Sequence, residues 1–288
     1  MTHFYFDLID YNHGYVQYVP PATAQSNHML DLVTNNQIRL GANASSSGPV
    51  KSIKAMSSFV MEEGSLWLVD VAHFPTGCGQ WAAFWSYGPN WPNGGEIDTI
   101  EYVNLMTEDQ TTLHTGPGCI QPADSTVNKY VGSTDCNYMD GYYGCSLQAP
   151  PNSVSNNNGG GVYATLWNST DIMTFFFPRG SIPTDITNKA PQPDSWSNFL
   201  YADFKLTPVG GQGSCSADHF QSQQIVIFIN FCGDWAGVVF INDCGSSVCN
   251  NQTNSQTCCQ MYLNSNYASV NQQAYWTLNY IDVYKLQY

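Results

Sequence analysis

Positive charge is scarce in this chain: eight lysines and arginines stand against 22 aspartates and glutamates, a formal net charge of -14 over 288 residues. That balance leaves no electrostatic footprint for a phosphate backbone and no basic patch for an anionic bilayer, so neither nucleic acid nor membrane partners are expected. No apolar run reaches the roughly 18 residues needed to cross a bilayer. The start, Met1-Thr2-His3-Phe4-Tyr5-Phe6-Asp7, has neither the basic beginning nor the apolar segment of a secretory signal. Apolar spacing at 3.6 residues is almost absent, which argues against a helical domain. Glutamate is rare too, at Glu62, Glu63, Glu96, Glu101 and Glu108 only.

What is present is a large apolar fraction, 43%, beside only 10% charged residues. Such a chain can bury a sizeable core under a surface of Asn, Gln, Ser and Thr, which suits neutral, hydroxyl-rich ligands. Nothing resembles an interdomain linker, so residues 1–288 read as one domain. Ten cysteines lie in Gly- and Asn-rich loops without paired Cys-x-x-Cys knuckles, which favours disulfides in an oxidising compartment over zinc. Adjacent Cys258 and Cys259 are expected to pair with distant partners rather than each other. Three sequons, at Asn43, Asn168 and Asn251, are compatible with secretion, and an extracellular monomer is expected.

Short β-patterned segments recur along the chain. They run over 4–9, 15–19, 35–40, 53–60, 65–72, 81–85, 111–115, 162–167, 171–177, 225–230 and 275–286. The 65–72 segment is long enough for a sheet centre. The nearly continuous apolar run 171–177 reads as a strand covered on both faces. A short helix capped by Asp194 is expected over 194–200. Many short strands with glycine-rich turns point to an all-β sandwich.

The stretch that organises the chain is Asn93-Gly94-Gly95-Glu96-Ile97-Asp98-Thr99-Ile100-Glu101-Tyr102-Val103-Asn104. Three carboxylates alternate with β-branched residues, the pattern of a strand. In a regular strand Glu96 and Asp98 share one face and Glu101 takes the other. A one-residue bulge near Thr99 or Ile100 returns Glu101 to the face of the other two. The two Glu Cα atoms then lie about 13 Å apart, and inward-leaning side chains bring the carboxyl groups within roughly 5 to 6 Å, the separation used in double-displacement glycoside hydrolysis. The same trio also reads as a calcium site or as an acidic edge strand.

This motif lies between the aromatics of Trp81 to Trp91 and the segment Thr112-Leu113-His114-Thr115. Together with Gly77-Cys78-Gly79, Phe176-Phe177-Pro178-Arg179 and Phe231-Cys232-Gly233-Asp234-Trp235-Ala236-Gly237, it resembles the fungal-type endo-β-1,3(4)-glucanases, or laminarinases, of glycoside hydrolase family 16. The resemblance covers about His13 to Tyr284. It implies a jelly-roll β-sandwich of two antiparallel sheets whose concave face carries a cleft for β-glucan, with no cofactor and no catalytic metal. Carried over by position, Glu96 is the nucleophile, Asp98 its electrostatic partner and Glu101 the general acid/base.

Trp85, Trp91 and Trp235 match aromatic positions that line the family's cleft, where an indole covers the C–H face of a pyranose. His114, on the next strand, is placed to face Asp98 or the departing sugar. Trp67 and Trp276 are assigned to the core. Two features depart from the family. Lys51 stands where relatives often carry an arginine, whose forked hydrogen bonds it cannot make, and relatives usually have more sequence before the first strand. A carbohydrate-binding protein and a transglycosylase are the rival readings. The intact trio of acids argues against the first.

Overall fold

The computed structural model describes residues 3–33, 37–123, 130–139 and 143–286. The first strands are short: β1 (Phe4–Phe6), β2 (Val16–Tyr18), β3 (Leu30–Leu32), β4 (Ile38–Gly41), β5 (Val50–Ser52) and β6 (Lys54–Ser57). Longer ones follow: β7 (Ser65–His73), β8 (Gln80–Tyr87), β9 (Glu96–Val103), β10 (Gln110–His114), β11 (Tyr130–Val131) and β12 (Cys145–Gln148). The last are β13 (Gly161–Trp167), β14 (Asp171–Pro178), β15 (Leu200–Lys205), β16 (Gln224–Phe231) and β17 (Tyr275–Lys285). An eight-stranded sheet in the order β1-β6-β16-β8-β9-β10-β12-β11 faces a seven-stranded one in the order β15-β14-β13-β7-β17-β4-β3. Both are antiparallel throughout. This is the expected sandwich.

The main core lies between the sheets. Trp67, Val69 and Val71 from β7 meet Phe84 from β8 and Ile97 and Ile100 from β9, with Trp276 beside them. Trp67 and Trp276 are buried, as expected. Alternation sends Leu66 and Leu68 to the opposite face of β7, where they join Phe175, Phe177 and Trp196 in a second cluster. Strand β14 is therefore apolar on both sides, and β7 sits at the centre of its sheet.

Several expectations need correction. No α-helix forms over 194–200: two 3-10 turns do, Pro193–Ser195 and Ser197–Phe199, and Asp194 lies inside the first without capping it. The segment is held by Trp196, whose indole is buried and donates to Asp185 at 2.9 Å. Both N-terminal strands expected from the sequence form, shorter than read, β1 pairing with β6 and β2 in parallel with β5. Asn35 and Asn36, placed in a strand by sequence, lie outside the described residues.

The largest departure is helical. After α1 (Pro21–Ser26) and α2 (Thr184–Thr187), a π-helical turn (Gly233–Gly237) leads into α3 (Val238–Cys244), α4 (Ser255–Ser265) and α5 (Tyr267–Gln273). The inner side of α4 buries only Cys258, Cys259 and Leu263, so hydropathy shows no helical stripe. Cysteines anchor this segment instead. Cys232–Cys259, Cys249–Cys258 and Cys78–Cys244 join Cys119–Cys215 and Cys136–Cys145, and no cysteine is free. As expected, Cys258 and Cys259 take separate partners. Among the described residues, no helix is long and apolar enough to cross a membrane.

Candidate active site

The site is built on β9, one of the two central strands of its eight-stranded sheet, flanked by β8 and β10. Opposite it on β8, Tyr87 pairs with Glu96, Trp85 with Asp98 and Ala83 with Glu101. On β10, His114 pairs with Glu96, Thr112 with Asp98 and Gln110 with Glu101. Directly opposed residues share a face, and 83, 85 and 87 share one because side chains alternate. All three carboxylates therefore project from one face. The register slips between Phe84/Trp85 on β8 and between Gln110/Thr112 on β10, which locates a bulge at Thr99–Ile100, where the sequence reading placed one for a shared face.

On the other face the bulge is tethered. Thr99 Oγ1 accepts from Trp67 Nε1 at 3.0 Å and lies 3.0 Å from Thr165 Oγ1 on the facing sheet. Ile97 and Ile100 are buried in the core beside it. Rigid inward packing thus fixes the strand whose outward side carries the acids.

Each acid has its own partner. Trp81 Nε1 donates to Glu101 Oε1 at 2.8 Å, and Trp91 Nε1 donates to Glu96 Oε2. His114 Nε2 lies 3.1 Å from Asp98 Oδ2, an ion-pair distance without a hydrogen bond. Asp98 is only 1% exposed, while Glu96 and Glu101 are half-buried. Trp85 lies on the same face against Tyr87 and Phe228, its buried indole N–H without a partner. Trp235 meets Trp81 edge to face at 6.0 Å from the π-helical turn. Trp91 is 44% exposed and packs on Tyr138 at 4.7 Å, and Tyr138 in turn meets the His114 ring at 5.2 Å.

Electrostatics follow from crowding. Burial raises the Glu96 pKa well above its usual range and the neighbouring Asp98 adds to this, while His114 and the Trp91 hydrogen bond oppose it. Burial also raises Asp98, with Glu101 adding and a hydrogen bond with Glu96 opposing. Glu101 is raised by burial against the lowering effects of His114 and the Trp81 hydrogen bond. Such a trio keeps a proton at acidities where an isolated carboxylate has lost it, and it titrates as one coupled unit.

Sequence reasoning brought Glu96, Asp98, Glu101, Trp85, Trp91, His114 and Trp235 to one side of one sheet. It missed the roles of Trp81 and Tyr138. Trp81 reaches Glu101 diagonally from two residues before its direct partner, which pairing by alternation alone does not reveal. Tyr138 sits on the loop closed by Cys136–Cys145, and only that cysteine spacing hinted at it. Lys51 is exposed on β5, away from β9 in the two-stranded pairing with β2.

Among the described residues, two groups of side chains bring ligand atoms together. Ligand atoms of Glu96, Asp98 and His114 lie within 4.8 Å of one another. One donor of this cluster is an imidazole, whereas calcium takes oxygen ligands. Cys119, Cys215 and His219 also cluster, but both sulfurs are committed to a disulfide.

Beneath the site Asp109 is wholly buried, and that burial pushes its pKa up to about 7 despite hydrogen bonds from Tyr163, Ser153 and Tyr201. A carboxyl that is easier to protonate in the fold than in the unfolded chain stabilises the fold fully below its ordinary pKa; that contribution is lost as pH rises through about 7. Each pKa unit is worth about 1.4 kcal/mol, so Asp109 accounts for a loss of about 4 kcal/mol between roughly pH 4 and pH 8. The raised acids of the site act with the same sign. Denaturant midpoints across that range should therefore fall toward neutrality in the native chain and fall distinctly less in Asp109→Asn. Equal slopes in the two proteins would contradict the assignment.

Comparison with known proteins decides the family. A family model described as the XgeA-like, catalytic GH16 domain matches residues 3–284. The chain belongs to glycoside hydrolase family 16. It is 34% identical over 298 residues to the endo-1,3(4)-beta-glucanase xgeA of Emericella nidulans, covering 99% of this chain and 46% of that protein. The chain thus spans less than half the length of that relative. Laminarinase 16A of Phanerochaete chrysosporium, solved with 6-O-glucosyl-laminaritriose in donor and acceptor sites, superposes with a TM-score of 0.84 at 33% identity, covering 98% of this chain and 95% of that one. An elongating family 16 beta-1,3-glucosyltransferase superposes with a TM-score of 0.85 at 30% identity, covering 97% and 94%. The sandwich of this family 16 chain is accordingly the jelly roll of its structural neighbours.

Proposed function

We propose that this chain is a secreted, endo-acting hydrolase of β-1,3 and mixed β-1,3-1,4 glucans that retains configuration by double displacement. The observation that carries this reading is the bulge at Thr99–Ile100, which gives Glu96, Asp98 and Glu101 a common face beside indole donors. Glu96 attacks the anomeric carbon while Glu101 gives its proton to the leaving oxygen, so the glycosidic C–O bond breaks as a glycosyl–Glu96 ester forms. Glu101, now a carboxylate, takes a proton from water as that water displaces Glu96. The indole N–H groups of Trp91 and Trp81 orient Glu96 and Glu101, and each favours the ionised form of its glutamate. Asp98, backed by His114, faces both and couples their protonation.

The reading is tested by incubating purified protein with laminarin, lichenan, carboxymethyl-cellulose and chitin and following oligosaccharide release. Release from laminarin or lichenan in a ladder of sizes is expected. No release from either would sink it. Five disulfides support an oxidising compartment.

Transfer to a second glycan is the alternative fate of the same ester, favoured by the likeness to the elongating glucosyltransferase. Products longer than the added oligosaccharide would support it.

Trp235 is expected to stack on a sugar ring. Trp235→Ala should weaken laminari-oligosaccharide binding by about 1 to 2 kcal/mol with the fold intact, an aromatic-contact scale. Calorimetric titration beside thermal melting checks this. A large loss of stability at unchanged affinity would return Trp235 to the packing against Trp81.

A further inference from the structure

A bulge leaves one backbone carbonyl outside the ladder, and a buried carbonyl needs a partner. At the bulge of β9 that group is Thr99 C=O. It accepts from Thr111 Oγ1 at 3.1 Å and, more distantly, from Tyr201 OH at 3.3 Å. Thr111 and Tyr201 lie 2.7 Å apart, oxygen to oxygen. Tyr201 OH is also 3.3 Å from Asp109 Oδ2, and Asp109 Oδ1 accepts from Tyr163 OH at 2.6 Å and Ser153 Oγ at 2.8 Å. Thr111 comes from β10 of the site sheet, Tyr201 and Tyr163 from β15 and β13 of the facing sheet. All of these residues are buried. The network crosses the sandwich core, an expensive place for polar atoms unless each is matched.

Nothing in the double-displacement chemistry uses Asp109, Tyr201 or Thr111. We propose that they are positioning residues: the chain Asp109–Tyr201–Thr111 holds the Thr99 carbonyl, fixes the bulge, and so holds Glu101 on the face of Glu96. Remove the hydroxyl at 111 and the carbonyl loses its nearest donor, so the bulge loosens and Glu101 is held less firmly against Glu96. Tyr201 OH donates to Asp109 Oδ2 and Thr111 Oγ1 donates to the carbonyl, so the Tyr201 hydroxyl, 2.7 Å from Thr111, links the buried carboxyl to the bulge. The groups packed around Asp109 itself are the neutral hydroxyls of Tyr163, Tyr201 and Ser153.

This inference rests on the hydrolase reading for its kinetic test and has a second test independent of it. Thr111→Val, nearly isosteric without the hydroxyl, should lower kcat on laminarin about 10- to 100-fold with KM unchanged, the scale of a misplaced catalytic group. Thr111→Ser, which restores the hydroxyl, should recover kcat. In parallel, with only five glutamates to label, carboxyl carbon NMR should show the titrations of Glu96 and Glu101 displaced in Thr111→Val but unmoved in Thr111→Ser, with Glu62, Glu63 and Glu108 as controls. If Thr111→Val does not fold, Tyr201→Phe takes its place and the same displacement is expected. Native kcat and native titrations in the folded valine variant would overturn the proposal, as would a serine variant as impaired as the valine one. If the native chain releases no sugar from laminarin, the hydrolase reading falls while the titrations decide the positioning claim: displaced supports it, unmoved overturns it.

Discussion

Glu96→Ser removes turnover of laminarin and of activated aryl glycosides alike, by about 10,000-fold or more, because no covalent intermediate forms without the nucleophile. Glu101→Ala behaves differently. It lowers turnover of polysaccharide by about 100- to 10,000-fold, the range of a lost general acid, but spares formation of the ester from aryl glycosides whose leaving groups need no proton. A steady-state comparison of the two variants on both substrate classes separates the roles. Equal losses in the two variants on both classes would mean that neither acid can be assigned as proposed.

Reduction should unfold this chain. A native disulfide typically contributes about 2 to 5 kcal/mol, and a domain's whole stability is about 5 to 15 kcal/mol. Here the bridges close loops of very different length, from Cys78–Cys244 with a separation of 166 to Cys136–Cys145 with a separation of 9. The helical segment depends on them most. Cys232–Cys259 and Cys249–Cys258 fix α4, which buries little else. Thiol labelling of native protein should find no free thiol, and reductant should expose all ten cysteines with loss of near-ultraviolet dichroism. Several reactive thiols in folded, active protein would contradict the extracellular assignment.

The sheet architecture was readable because apolar alternation is a local signal. β7, β8, β9 and β16 appear where the pattern places them, and the odd spacing of Glu101 from Asp98 pointed to a bulge near Thr99 or Ile100 if the three acids were to share a face. The helices of 233–273 escaped because cysteines, not a stripe of Leu and Ile, bind them to the core. The 3-10 turns around Trp196 replaced a helix because one buried indole, rather than a periodic face, holds that segment. The network of Asp109, Thr111 and Tyr201 was invisible for another reason: its members come from both sheets, and spacing in sequence carries no information about contacts across a sandwich.

The same limit applies to Trp81. Its value to Glu101 depends on a diagonal across two paired strands, and the motif around Glu96 says nothing of it. Tyr138, on its disulfide-closed loop, reaches His114 and Trp91 only in three dimensions.

The central claim is that the bulge on β9 makes Glu96 and Glu101 a nucleophile and acid/base pair with no room for a water between them, which requires a carboxyl separation of about 5 to 5.5 Å. Proton NMR of the sugar freshly released from laminarin, read before mutarotation, tests it directly. The account predicts the β anomer first. An initial α anomer would show that water attacks the anomeric carbon itself, that the two carboxyl groups act from farther apart, and that Glu96 is not the nucleophile.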